Sequence, residues 1–181
     1  FEFAPSDAAH REFGGRLKTT LTGGSSSDQQ HATHVAGTMI AGGVDERAKG
    51  MAPGATLQQF NARATNAYTN KGNVVRDLGA VADNNSWGYV LGWYVADDGI
   101  WTWSENDEFI GGYDSVCAAI DKIARSTGLL MVHSAGNEAD TTGAVIPPYR
   151  HYHTDDSGVP VTDKIYCYST NGSGTDCPVP T

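Results

Sequence analysis

Basic residues are scarce: 12 Lys and Arg stand against 21 Asp and Glu in 181 residues, a formal net charge of −9. Nonspecific nucleic-acid binding needs a basic face that displaces counterions, so DNA and RNA are not expected partners. The same deficit argues against adhesion to anionic membranes. Long apolar runs are also missing, and nothing approaches the roughly 20 residues of a transmembrane helix. The glycine pairs match neither a P-loop nor a G-x-G-x-x-G fingerprint, which removes nucleotide binding. Cysteine is limited to three residues. Cys117 lies in an apolar helical stretch and reads as a buried thiol. Cys167 and Cys177 flank a Gly/Ser/Asn/Asp segment. A bridge between them would contribute about 2–3 kcal/mol on the loop-entropy model and would imply an oxidising compartment. Two cysteines alone are too few ligands for a zinc site.

What is present suits one globular α/β domain: 39% hydrophobic and 18% charged residues. The chain starts at Phe1 and stops at Pro178-Val179-Pro180-Thr181 with no closing helix or strand. It therefore reads as a piece of something longer, incomplete at both ends. Phe1 to Gly24 reads as the end of a strand followed by turns. Ser25-Ser26-Ser27-Asp28 is a polar approach to a helix, with Asp28 or a neighbour as N-cap. From His31, placed in the first turn, Val35, Ala36, Met39 and Ile40 fall on helical spacing until Gly42-Gly43. Ala55 to Phe60 predicts a strand, Asn73 to Ala82 a helix, and Asn84 to Trp87 a short extended segment. Residues 89–112 hold Trp93, Trp101 and Trp103 among acidic residues and read as an aromatic, acidic insertion. Tyr113 to Ser126 predicts a helix with Val116, Cys117, Ile120 and Ile123 on one side. Leu129-Leu130-Met131-Val132 predicts a strand buried on both faces. Residues 138–181 lose periodicity and read as a loop-rich insertion. Strands alternating with helices imply a largely parallel sheet, with functional groups at the carboxyl ends of its strands.

Most of the chemical information sits in His31-Ala32-Thr33-His34-Val35-Ala36-Gly37-Thr38. This stretch resembles the H-G-T-H-V-A-G-T element of the subtilisin-like serine proteases, with Ala32 in place of Gly. Ala48 to Leu57 is similar to that family's G-V-A-P-x-A-x-L segment. Asn85-Ser86-Trp87-Gly88 resembles its substrate-binding strand, and Ser134-Ala135-Gly136-Asn137-Glu138 its A-A-G-N-E turn. All four occur in the family's order, between about His10 and Glu138.

The resemblance implies a three-layer α/β sandwich and peptide-bond hydrolysis through an acyl-enzyme formed by Asp, His and Ser. By the match, His31 is the general base, a role that an imidazole side chain commonly serves. Asn137 is the oxyanion donor, with its side chain expected within roughly 6–10 Å of His31. Ser86, Trp87 and Gly88 would pair with the bound peptide, and Ala135 and Gly136 would form one side of the pocket before the scissile bond. His34 is expected to be packed and hydrogen-bonded. A peptide or protein substrate, the remainder of the catalytic domain as partner, and a secreted or cell-envelope location are further implications.

Two members of the triad lack a direct match. The family's G-T-S-x-A-x-P does not occur, and Gly172-Ser173-Gly174-Thr175 has the letters in the wrong order. The Asp belongs seven or eight residues before an H-x-[DE]-F-like element, here His10-Arg11-Glu12-Phe13. Counting back eight reaches Glu2, and seven reaches Phe3. Glu2 is thus a candidate for the Asp position; Asp7 is closer to His10 than the spacing allows, and an Asp upstream of Phe1 is the rival. Calcium, used by many subtilases, could be held by the acidic insertion (Asp97-Asp98, Glu105, Asp107-Glu108), though no EF-hand-like spacing is present. His151-Tyr152-His153 with Asp155-Asp156 reads as solvated loop rather than metal site. The alternative function is a pseudoprotease, a peptide-binding module of the same fold.

Overall fold

The computed structural model describes residues 1–64, 67–96, 98–103, 110–137, 149–151, 164–168 and 174–178, with side chains described through Tyr149. In chain order the elements are β1 (Leu17–Thr19), α1 (Ser26–Ile40), β2 (Leu57–Gln59), α2 (Ala67–Leu78), β3 (Ala82–Asn85), β4 (Trp93–Val95) and β5 (Trp101–Trp103). They continue with α3 (Ser115–Thr127), β6 (Leu130–His133), β7 (Tyr149–His151), β8 (Lys164–Tyr168) and β9 (Gly174–Pro178). Two compact units divide them: Phe1–Trp87 with Ala118–Ser134, and Gly88–Cys117 with Ala135–Thr181.

In the first unit every ladder is parallel. β1 pairs with β2, and β3 pairs with β6. Between the two pairs runs the start of the chain. Glu2 forms a parallel bridge to Asn61, donating its N–H to Phe60 O and accepting from Ala62 N–H. Phe1 N donates to Asn84 O at 2.9 Å. The lateral order is therefore β1, β2, the Phe1–Phe3 segment, β3, β6.

Helix α1 is held at both ends. Its N-cap is Ser25, whose side chain accepts from Asp28 N–H while Asp28 reaches back to Ser25 N–H. This reciprocal box satisfies two donors that the first turn leaves without helical partners. At the other end, Gly50, Met51 and Ala52 donate their N–H groups to the carbonyls of Ala41, Thr38 and Met39. Arg16 supplies the partner for Ile40 O at 2.7 Å. The carbonyls that a helix terminus strands are thus occupied one by one. Gly50 has to be glycine, since a Cβ there would stand 2.5 Å from Ala41 N and 2.8 Å from Gly37 O.

Phe13, Leu17, Ala36 and Ile40 form the buried cluster, with Ala8, Met39 and Leu57 packed against it. Burying Phe13 and Ile40 contributes about 1.5–3 kcal/mol each. Small side chains at Ala32 and Ala36, each 1% exposed, let α1 sit close to its neighbours.

Several sequence expectations need correcting. His31 is not in the first turn: α1 begins at Ser26, because the serine run caps earlier than the apolar pattern shows. Helix α2 starts at Ala67 rather than Asn73, and Val81 lies beyond it, 81% exposed. The reason is that Ala67, Lys71 and Val74 face inward together, and a Lys in that stripe hides its period. β6 is not buried on both faces: Leu130 and Val132, which share one face of the strand, are 62% and 47% exposed, so the described residues leave that face largely uncovered. Cys117 is half-buried, and α3 holds no fully buried residue.

The second unit carries a five-stranded sheet of order β4, β5, β7, β8, β9, antiparallel except for β5 with β7. Residues 89–112 and 138–181 thus contribute strands rather than loops alone. Trp93 faces Trp103 across the β4–β5 ladder, with ring centroids 5.3 Å apart and edge to face, and meets Tyr149 at 5.6 Å. Thr102 is buried. In the β8–β9 ladder Cys167 pairs with Thr175 and Cys177 with Ile165; a bridge between these cysteines falls outside the described side chains.

Candidate active site

Glu2 owes its place to backbone bonds to Phe60 and Ala62 at the carboxyl end of the β2 line. That placement buries its carboxylate, with 7% of the side chain exposed. His31 is the sixth residue of α1, and 49% of its side chain is exposed. The two meet: His31 Nδ1 lies 3.2 Å from Glu2 Oε2. With Nδ1–H turned to the carboxylate, a neutral imidazole presents Nε2 as its acceptor. Such a ring can take a proton at Nε2, and the carboxylate stabilises the imidazolium that results. Burial raises the Glu2 carboxyl above its ordinary value, and the attraction of His31 opposes that rise. Glu2 Oε1 is buried with no hydrogen-bond partner among the described residues.

Beside this pair β3 runs into the Ser86–Trp87 segment. Ser86 Oγ accepts from Asn84 Nδ2 at 2.9 Å, and Ser134 Oγ donates to Trp87 O at 3.3 Å. The Trp87 ring touches Phe3 at 5.9 Å and His133 at 5.9 Å, and Arg63 lies 4.4 Å over the Phe3 ring. Gly88, Ala135, Gly136 and Asn137 belong to the second unit and are exposed there. Asn137 follows Gly136, whose φ of +96° turns the chain directly after β6. His34 is exposed, not packed, and faces a cavity of about 1010 Å³ along α1 with Thr33 and Gly37. Asp7 is exposed as well, its carboxylate accepting from Ala9 N–H rather than reaching His31.

Sequence reasoning passed over three supporting groups. Glu12 is buried and accepts three backbone N–H groups, from Gly43, Val44 and Asp45. Arg16 joins the carbonyls of Glu12, Ile40 and Ala55. Together they fix the end of the helix that carries His31. Lys71, 1% exposed, donates to Asp83 and to Asn85 Oδ1 at 2.6 Å, with its ammonium 3.7 Å over the Phe1 ring. Glu12 lies within the His10–Phe13 element, and nothing in the periodicity signals Arg16 or Lys71.

Among the described residues no three His, Cys, Asp or Glu side chains converge as for a metal ion. Asp97, Glu105, Asp107, Glu108 and residues 152–160 lie outside them. No described helix is long and apolar enough to cross a membrane. A family model described as the subtilase family matches residues 3–166, beginning one residue after Glu2. No curated protein and no solved structure matches the chain.

Proposed function

The chain belongs to the subtilase family, whose members are serine proteases, and from that premise we propose that it is the base-and-oxyanion portion of a serine endopeptidase. The observation that carries the reading is the 3.2 Å approach of His31 Nδ1 to the buried carboxylate of Glu2. His31 takes the proton of the attacking serine through Nε2 and returns it to the leaving amine. Glu2 holds the ring in the Nδ1–H tautomer and offsets the charge of the imidazolium. Asn137 donates its side-chain amide to the oxyanion, Ser86 to Gly88 pair with the substrate backbone, and Ala135 and Gly136 border the pocket. The serine comes from the remainder of the catalytic domain, which completes the three-layer sandwich. Substrates are peptides or proteins met outside the cell or at its envelope.

A second reading has an observation of its own. Glu is one methylene longer than Asp, and its Oε1 is buried without a partner among the described residues. Both features suit a peptide-binding module that has lost turnover. Peptide hydrolysis by the full-length protein separates the two readings. The protease reading expects turnover that His31→Ala reduces by about 10³-fold or more. Peptide binding with no turnover in the wild-type protein decides for the binding module. The 181-residue chain by itself should cleave nothing, because it lacks the family's G-T-S-x-A-x-P serine element; cleavage abolished by His31→Ala would overturn the assignment of the nucleophile elsewhere.

A further inference from the structure

One cation of the first unit is tied to the backbone bridge that places Glu2. Asn61 pairs with Glu2 in that bridge, and its side-chain Oδ1 accepts the N–H of Arg63 at 2.8 Å. Ala62 N–H donates to Glu2 O in the same turn. The bonds that place the partner of His31 thus also place Arg63. This arginine is exposed, and its guanidinium carbon stands 4.4 Å over the Phe3 ring. Phe3 follows Glu2 directly and meets the Trp87 ring at 5.9 Å. Arg63 and Trp87 therefore flank one ring, each a few residues past the carboxyl end of its strand, β2 or β3. That edge is where open α/β sheets take their ligands.

Other arginines of the unit spend their N–H groups within the chain. Arg16 donates to carbonyls, Arg47 to Asp45 and Arg76 to Asp77. Among the described residues no carboxylate pairs with Arg63, although acidic residues outnumber basic ones by 21 to 12. The Phe3 ring holds the guanidinium through its charge and leaves the N–H fork for a carboxylate from outside. We propose that Arg63 selects substrates carrying an aspartate or glutamate within about four residues of the scissile bond, a reach of roughly 13 Å along an extended peptide. The inference rests on the protease reading above, in which the peptide lies along Ser86 to Gly88; Trp87, in the middle of that segment, touches the ring that carries Arg63. A carboxylate can take two parallel bonds from the guanidinium, an amide oxygen brings no charge to it, and a lysine side chain is repelled.

Cleavage of a peptide set by the full-length protein tests the selection, with Asp, Asn and Lys placed in turn at each position around the scissile bond. At one position the wild-type protein should prefer Asp to Asn by about tenfold in kcat/KM, with Lys last. Arg63→Gln should bring the Asp-to-Asn ratio there within about twofold of one, and Arg63→Glu should favour Lys over Asp. No acidic preference at any position, or a preference that Arg63→Gln leaves in place, would overturn the proposal and leave the protease reading standing. If the wild-type protein turns over none of the peptides, their equilibrium binding carries the test. An Asp-over-Asn preference in affinity that Arg63→Gln removes would support the role of Arg63 while the protease reading falls. Binding without that preference, or no binding, would overturn the proposal as well.

Discussion

His31 Nδ1 and Glu2 Oε2 lie 3.2 Å apart although one ring is half in solvent and the other group is almost fully buried. The contact joins a helix to a strand end, and each partner is fixed by backbone bonds of its own. The imidazole therefore has one side committed and one side available.

This pairing has a pH signature. Burial raises the Glu2 carboxyl from its ordinary value of 4.5. A carboxyl raised on folding contributes stability that is fully present below the unfolded value and is lost as pH rises through the folded one. Glu2→Gln removes that loss. Its urea midpoint should exceed the wild-type midpoint near about pH 7 and converge with it in acid. A variant less stable than wild type at neutral pH would show that ionised Glu2 is a net stabiliser.

Glu12 carries the opposite sign. The backbone N–H groups of Asp45, Val44 and Gly43 hold its carboxyl below the ordinary 4.5. The stability it contributes is present above the unfolded value and is lost as pH falls through the folded one. Glu12→Gln should lower the urea midpoint at neutral pH, with the difference closing in acid. A constant difference across the titration would mean that shape, not charge, is what Glu12 supplies.

Lys71 and Asp83 are 1% and 6% exposed and paired. Removing one member strands the other charge in the interior, so Lys71→Met should cost about 3–5 kcal/mol in denaturant unfolding. Lys71→Met with Asp83→Leu should recover most of that cost. A double variant no better than the single one would show that Asp83 is served by its other neighbours.

The helix carrying His31, the Ala55–Phe60 strand and the helix before β6 are legible in the sequence, because apolar spacing and glycine stops mark them. The pairing of Glu2 with His31 was legible only through a residue count from His10, since a single carboxylate has no periodicity. Lys71 was not legible at all: a charged residue on an inward stripe contradicts the pattern that identifies the stripe. The second sheet escaped for another reason. Its strands are three to five residues long and lie among Gly, Asp and Thr, so alternation never runs far enough to register. Short β4 and β5 stand out only by their tryptophans.

On the proposed reading Asn137 is the oxyanion donor, and its loss should be felt in turnover more than in binding. In the full-length protein, Asn137→Ala should lower kcat by about 10²–10³ while leaving KM within a few-fold. A change confined to KM would place Asn137 in substrate binding instead.

The central claim is that His31 activates a serine held by the same protein. Labelling of the folded full-length protein with a serine-directed fluorophosphonate tests it directly. The account predicts one label per chain, formed at least about 10³ times more slowly after His31→Ala in a variant that still folds. No labelling of the wild-type protein, or labelling that His31→Ala leaves unchanged, would contradict it.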